Sequence, residues 1–83
     1  MNILVLGAGT FGTAIANELS VNTENKVTLF SRNQDKVKEI NEFQTNKSCF
    51  PNKHLTKHLK ASSDKEFIRD ADIVFIALPS SVI

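Results

Sequence analysis

The sequence is poor in several residue types that mark other classes of protein. It has one cysteine, Cys49, so no disulfide can form within the chain, and a reducing, cytoplasmic location is expected. Cys49 has no CxxC partner and the two histidines lie in a lysine-rich stretch, so no metal site is expected. The longest apolar run, residues 73–78, is too short to span a bilayer. The formal net charge is only +1, and this balance does not predict binding to nucleic acid or to an anionic membrane.

Glycine is also scarce, and its distribution is uneven. All three glycines fall within the stretch Gly7-Ala8-Gly9-Thr10-Phe11-Gly12. Glycine lacks a Cβ atom, so it permits positive φ and lets another group come close to the backbone. The stretch follows the apolar run Asn2–Leu6 and precedes a segment in which Phe11, Ile15 and Leu19 recur every four residues. This pattern predicts a turn that leads from a buried strand into a helix with an apolar stripe over Thr10–Ser20.

The rest of the chain continues the alternation of strands and helices. A second strand is predicted at Lys26–Phe30, and the next helix begins either with Ser31 and Gln34 as a capping box or with Asn33 as the cap. Later signals predict a third strand at residues 59–61 and a fourth strand stopped by Pro79. Between them, Ser63 and Glu66 have the S-x-x-E spacing of a capping box, which predicts a helix capped by Ser63. The order β-α-β-α-β-α-β indicates an α/β fold with a doubly wound parallel sheet. Three helices would leave apolar surface on four strands exposed, so we expect the front part of a longer chain.

The glycine stretch has the spacing G-x-G-x-x-G, and its position between strand and helix is typical of a dinucleotide-binding turn of the Rossmann type. In such a turn Gly7 allows the sharp change of direction, Gly9 lets a pyrophosphate approach the backbone, and Gly12 lets the helix pack closely on the sheet. The free N–H groups and the dipole at the start of the helix favour bound phosphate. The alternative is a glycine-rich turn that binds no ligand.

The end of the second strand lacks the acidic residue that usually accepts hydrogen bonds from the ribose of NAD. The sequence there is Phe30-Ser31-Arg32-Asn33. Ser31 can donate a hydrogen bond to the 2′-phosphate of NADP, and Arg32 can pair with its charge. NADP is therefore an expected cofactor beside NAD. The alternative for Arg32 is a solvated surface residue near a helix start.

Three stretches together resemble the N-terminal cofactor domain of the NAD(P)-dependent glycerol-3-phosphate dehydrogenases. They are GAGTFGTA at residues 7–14, NKSCFPNKHL at residues 46–55 and DADIVFIALPSSVI at residues 70–83. One departure is Cys49-Phe50-Pro51, where the family more usually has an aromatic residue, Leu and Pro. The resemblance covers essentially the whole chain. It implies that residues 1–83 are the N-terminal part of an NAD(P)-binding Rossmann domain.

The resemblance also implies an activity and a set of cofactor contacts. The family transfers hydride between NAD(P)H and dihydroxyacetone phosphate, which gives glycerol 3-phosphate for phospholipid synthesis. Its catalytic lysine and its helical substrate domain lie outside residues 1–83, so no catalytic residue is expected in this chain. A homodimer is compatible with the sequence, which does not itself predict an oligomeric state. The candidate cofactor-binding residues are Gly7, Ala8, Gly9, Thr10, Phe11, Gly12, Ser31, Arg32, Pro79, Ser80 and Val82.

Several alternatives stay open at this point. Another Rossmann dehydrogenase, of the ketopantoate or 6-phosphogluconate type, would share the glycine turn, although residues 46–55 argue against it. A non-catalytic nucleotide-binding module is a further alternative, because a fold does not determine a function. Phe11 belongs near the cofactor by resemblance and in the buried stripe by its helical spacing. The basic stretch at residues 47–60 is interpreted as a solvated loop; binding of nucleic acid or attraction of a phosphorylated ligand are the alternatives.

Overall fold

The computed structural model describes residues 1–77, and these form a four-stranded parallel sheet with helices packed on it. This arrangement confirms the predicted α/β class and the predicted order of elements. The elements are β1 (Asn2–Leu6), α1 (Thr10–Ser20), β2 (Lys26–Phe30), α2 (Gln34–Phe43), β3 (Lys60–Ser62), α3 (Phe67–Asp70) and β4 (Ile73–Ile76).

The strand order β3-β2-β1-β4 places the first strand in the middle of the sheet. The chain builds outward from β1 through β2 to β3 and then crosses to the other side of β1 to form β4. Leu6, the last residue of β1, lies opposite Phe30 of β2 and Ile76 of β4. The carboxyl ends of these three strands therefore meet at one edge of the sheet, where α/β proteins of this topology bind their ligands.

The helix α1 packs on β1 and β2 through small residues, not through its large apolar ones. Gly12 and Ala16 are buried on its inner face, whereas Ile15 and Leu19 are only partly buried. Phe11 is 69% exposed, so its predicted place in the buried stripe is wrong. These small residues bring the helix backbone close to the sheet. The buried face of α1 is therefore rotated away from the line of Phe11, Ile15 and Leu19 that the sequence pattern predicts.

The later elements differ from the predictions in detail. Asn33 caps α2, because its Oδ1 accepts hydrogen bonds from the amides of Asp35 (3.0 Å) and Lys36 (3.3 Å). The third strand begins one residue later than predicted. The predicted Ser63 cap of α3 is wrong: Glu66 stands at the cap position without a side-chain cap, and its amide donates to Oδ1 of Asp64 at 2.9 Å.

The edge strand β4 carries the exposed apolar surface that the element count predicts. Its residues Ile73, Val74 and Phe75 are each nearly two-fifths exposed, and Ile76 is 72% exposed. Within residues 1–77 no helix is both long and apolar enough to cross a membrane. The same residues contain no group of three or more metal-ligating side chains.

Candidate nucleotide-binding site

The glycine turn begins where β1 leaves the sheet. Gly7 has φ 108°, a conformation that strains residues with a Cβ atom, and its amide donates a hydrogen bond to the carbonyl of Phe30 at 3.1 Å. The turn is thus tied to the end of β2 as soon as it departs from β1. This is the sharp change of direction that the sequence predicts for Gly7.

The other two glycines have different surroundings. A Cβ atom on Gly12 would collide with the carbonyl oxygen of Gly7 and would come within 3.1 Å of the Cβ of Ala77. A Cβ atom on Gly9 would meet no atom of residues 1–77 within 4 Å. The packing of the described residues therefore explains Gly12 but leaves the absence of a side chain at Gly9 unexplained. A ligand that approaches the backbone at Gly9 would account for it.

The start of α1 offers hydrogen-bond donors next to this open space. The first helical hydrogen bond runs from the amide of Thr13 to the carbonyl of Gly9 at 3.0 Å, so the amides of residues 10–12 precede it. Gly9, the N-cap residue, has no side chain to cap them, and the first turn contains no acidic residue. The positive end of the helix dipole is therefore not offset by an acidic side chain of that turn, as a phosphate-binding helix start requires.

The residues that follow β2 lie at the same edge of the sheet. Ser31 comes directly after the Phe30–Leu6 pair and is 9% exposed, and its Oγ accepts a hydrogen bond from the amide of Asn33 at 3.1 Å. Arg32 is exposed and forms no ion pair with any residue from 1 to 77. The arrangement brings both candidate residues near the glycine turn and leaves the guanidinium of Arg32 available to a ligand.

The candidate residues at the end of the chain lie outside the part that the structure describes. Pro79, Ser80 and Val82 fall outside residues 1–77. The last described residue, Ala77, donates its amide to the carbonyl of Leu6 at 2.8 Å and is buried against the glycine turn beside Gly12. The end of β4 therefore lies beside the glycine turn.

One contact of the glycine turn lies beyond the reach of sequence reasoning. The carbonyl of Ala8 accepts hydrogen bonds from Nδ2 of Asn46 and from Nζ of Lys36, each at 3.2 Å. Asn46 is completely buried and also donates to Oγ1 of Thr13 at 3.0 Å. Its segment, residues 44–58, is polar and has no periodicity, so the sequence gives no sign that one asparagine in it is buried.

Comparisons with known proteins agree with this geometry. Residues 2–83 match the family model described as NAD-dependent glycerol-3-phosphate dehydrogenase N-terminus. The chain is 39% identical over 80 residues to a glycerol-3-phosphate dehydrogenase [NAD(P)+] of Neorickettsia sennetsu, with 96% of this chain and 24% of that protein covered. It is 38% identical over 82 residues to the Bacillus subtilis protein of the same name, with 98% of this chain and 24% of that protein covered.

A solved structure is similar as well. The crystal structure of glycerol-3-phosphate dehydrogenase from Coxiella burnetii superposes with a TM-score of 0.78 and 31% sequence identity, covering 95% of this chain and 24% of that one. The chain thus spans about a quarter of the length of the relatives that it matches.

Proposed function

This chain belongs to the family of NAD-dependent glycerol-3-phosphate dehydrogenase N-terminal regions, and from this premise we propose that it forms the NAD(P)-binding part of a glycerol-3-phosphate dehydrogenase. The observation that carries the proposal is the open space at Gly9 beside the uncapped start of α1. A pyrophosphate fits this place because its oxygens can reach the amides of the first helical turn without meeting a side chain.

In this proposal, different residues of the glycine turn have different roles in cofactor binding. Gly9 leaves room for the pyrophosphate, and the amides of Thr10 and Phe11 precede the first helical hydrogen bond, so they can donate to its oxygens. Phe11 is exposed at the same helix start, so its ring is free to contact the cofactor rather than the core. Gly7 and Gly12 act indirectly, by allowing the turn and the close packing of α1.

The residues after β2 favour NADP within this proposal. A carboxylate at position 31 would accept hydrogen bonds from the ribose hydroxyl of NAD and would repel a 2′-phosphate. Ser31 stands there instead, followed by the exposed Arg32, which forms no ion pair within residues 1–77. A guanidinium can pair with a phosphate through two parallel hydrogen bonds, so Arg32 supports NADP as the preferred cofactor and NAD as the weaker one.

The proposed reaction is the reduction of dihydroxyacetone phosphate to glycerol 3-phosphate, and its support is that the relatives are glycerol-3-phosphate dehydrogenases [NAD(P)+]. Bound NAD(P)H would supply the hydride, and the residues of this chain would hold and orient the cofactor. The groups that bind the substrate and polarise its carbonyl are proposed to lie in a later, helical domain. A role in phospholipid synthesis and a cytoplasmic location complete the proposal; the single cysteine supports that location.

The test uses the full-length protein that contains this chain. NADPH consumption is followed by absorbance with dihydroxyacetone phosphate, and in parallel with ketopantoate; NADP reduction is followed with 6-phosphogluconate. We expect turnover with dihydroxyacetone phosphate and with neither of the other two substrates. Gly9→Val should abolish both this turnover and the binding of NADPH. Turnover with one of the other substrates instead would make this chain part of a different Rossmann dehydrogenase. Binding of NADPH without turnover of any of the three would indicate a nucleotide-binding module.

A further inference from the structure

The glycine turn is held from behind by a buried asparagine that belongs to none of the cofactor contacts discussed above. We propose that Asn46 is a positioning residue that fixes the glycine turn in the conformation that binds the cofactor, an inference that rests on the proposed function. Asn46 is 0% exposed, so it cannot touch a ligand from the solvent side and must act through its neighbours.

Asn46 joins the two ends of the turn with its two amide hydrogens. One hydrogen bond goes to the carbonyl of Ala8, just before the turn enters α1, and the other goes to Oγ1 of Thr13. Thr13 is the residue whose amide makes the first helical hydrogen bond, to Gly9. Residues 9–12, whose backbone would face the pyrophosphate, therefore lie between two points fixed by one side chain.

Asn46 is itself held firmly. Its Oδ1 accepts a hydrogen bond from Ser48 Oγ at 3.1 Å, and its backbone carbonyl accepts from the amides of Cys49 (3.1 Å) and Phe50 (2.8 Å). The residues on either side of it are tied to Oε2 of Glu39 on α2. Thr45 donates its hydroxyl to that oxygen at 2.7 Å, and Lys47 donates its amide at 2.9 Å.

The chemistry of the site requires a neutral donor of two hydrogens. Both acceptors, the Ala8 carbonyl and the Thr13 hydroxyl, face the same nitrogen, and an aspartate in its place would present an oxygen to the carbonyl. Lys36 Nζ (3.2 Å) and, more weakly, Cys49 Sγ (3.9 Å) also donate to the Ala8 carbonyl, so that end keeps partners if Asn46 is changed. The Thr13 end depends on Asn46 more strongly. Loss of the asparagine should therefore loosen the start of α1 rather than unfold the sheet.

The chain offers a matched control in Asn41, another asparagine that bridges two elements. Its Nδ2 donates to the carbonyl of Ala61 at 2.9 Å and its Oδ1 accepts from the amide of Ala61 at 2.8 Å, which ties α2 to β3 without contacting the glycine turn. Asn46→Asp and Asn41→Asp each replace one bridging amide by a carboxylate. Thr13→Val removes the hydroxyl acceptor and introduces no charge.

The experiment measures three quantities on the full-length protein and these three variants. They are the Kd of NADPH by calorimetry under conditions where each variant is fully folded, the urea midpoint without cofactor, and the amide hydrogen exchange of residues 9–13 without cofactor. We expect Asn46→Asp to raise Kd by about tenfold or more and Thr13→Val by about threefold to tenfold, as for lost buried hydrogen bonds. Both should speed exchange at residues 9–13, and Asn41→Asp should lower the midpoint with Kd unchanged.

The outcomes separate this inference from the proposed function. If the unmodified protein binds NADPH and both Asn46→Asp and Thr13→Val bind it within about twofold of that value, Asn46 is merely structural and the inference is overturned while the proposed function stands. If Asn46→Asp does not fold, Thr13→Val decides alone by the same criterion. If the unmodified protein binds neither NADPH nor NADH, the proposed function fails, and the inference fails with it.

Discussion

Gly9 and Gly12 lie three residues apart in the same turn, and alanine at each should give opposite kinds of damage. At Gly12 the added methyl group would collide with the carbonyl oxygen of Gly7 and crowd the Cβ of Ala77 at 3.1 Å. Alanine is favoured over glycine inside a helix by about 1 kcal/mol. Overpacking in a filled space costs about 1–3 kcal/mol. The obstacle here is backbone held at φ 108°, which has little room to move, so the upper part of that range applies and the net loss should be about 1–2 kcal/mol.

At Gly9 the added methyl group should leave the fold almost unchanged. The backbone there, with φ −77° and ψ −170°, is accessible to alanine, and the methyl group meets no atom of the described part of the chain within 4 Å. Reduced freedom of the unfolded chain stabilises such a substitution by about 0.4–1 kcal/mol. The poorer N-cap preference of alanine offsets this by several tenths to about 1 kcal/mol. The free energy of unfolding should therefore stay within about 0.5 kcal/mol of the unmodified protein, while the methyl group occupies the space left for the pyrophosphate.

The assay combines urea unfolding without cofactor and calorimetric titration with NADPH on the full-length protein. Gly12→Ala should lower the unfolding midpoint at an unchanged slope, and Gly9→Ala should weaken NADPH by about tenfold or more with its midpoint unchanged. Equal destabilisation by the two substitutions would refute the argument from the surroundings of each Cβ. Normal NADPH binding by Gly9→Ala would refute the assignment of the open space to a phosphate.

Three further predictions address the rest of the site and its support. Arg32→Ala should weaken the binding of NADPH about tenfold relative to the binding of NADH, and equal weakening of both cofactors would contradict the role of Arg32. The control is Arg69→Ala in α3, the helix that precedes β4, which should leave the ratio of the two affinities unchanged. The hydrogen bond from the Thr45 hydroxyl, with help from the Lys47 amide, lowers the pKa of Glu39, so the unfolded chain binds more protons than the folded one in acid. Stability should therefore fall as the pH drops through the ordinary titration range of glutamate, and the acid unfolding of Glu39→Gln should lose that part of the slope; an unchanged slope would contradict the argument. Asn33→Ala should lower the free energy of unfolding, measured with urea, by about 1 kcal/mol because α2 loses its N-cap; an unchanged urea midpoint would contradict this.

The sequence predicts the first half of the fold well because its local signals agree. The bounds of β1, α1 and β2 follow from two short apolar runs and from glycines that only a sharp turn explains. Later elements are predicted less well. The strand β3 has only three residues, and α3 has one turn that begins after Glu66 without a side-chain cap, not at Ser63 as the S-x-x-E pattern predicts. Elements this short take their bounds from tertiary contacts, which a local pattern does not contain.

The candidate site shows the same division between local and tertiary information. The roles of Gly7 and Gly12 follow from spacing alone, because each is required by the backbone of a strand-turn-helix unit. The exposure of Phe11 does not follow, since its helical spacing is that of a core residue, and only the close packing of small residues turns it outward. The burial of Asn46 does not follow either, because its partners are 38 and 33 residues away in the sequence.

A residue that a ligand requires can be told from one that the fold requires by asking whether the protein's own atoms explain it. Neighbouring atoms explain Gly12, which has no room for a side chain, and Asn46, whose side-chain nitrogen and oxygen are both hydrogen-bonded inside the protein. Gly9 has room for a side chain and carries none, and Arg32 has no ion-pair partner within residues 1–77. Both unexplained residues lie at the edge of the sheet where the carboxyl ends of β1 and β2 meet, and both suit a negatively charged ligand. A nucleotide with phosphates at two places accounts for the pair, which is why binding, and not folding, is the property that substitutions at these two residues should change.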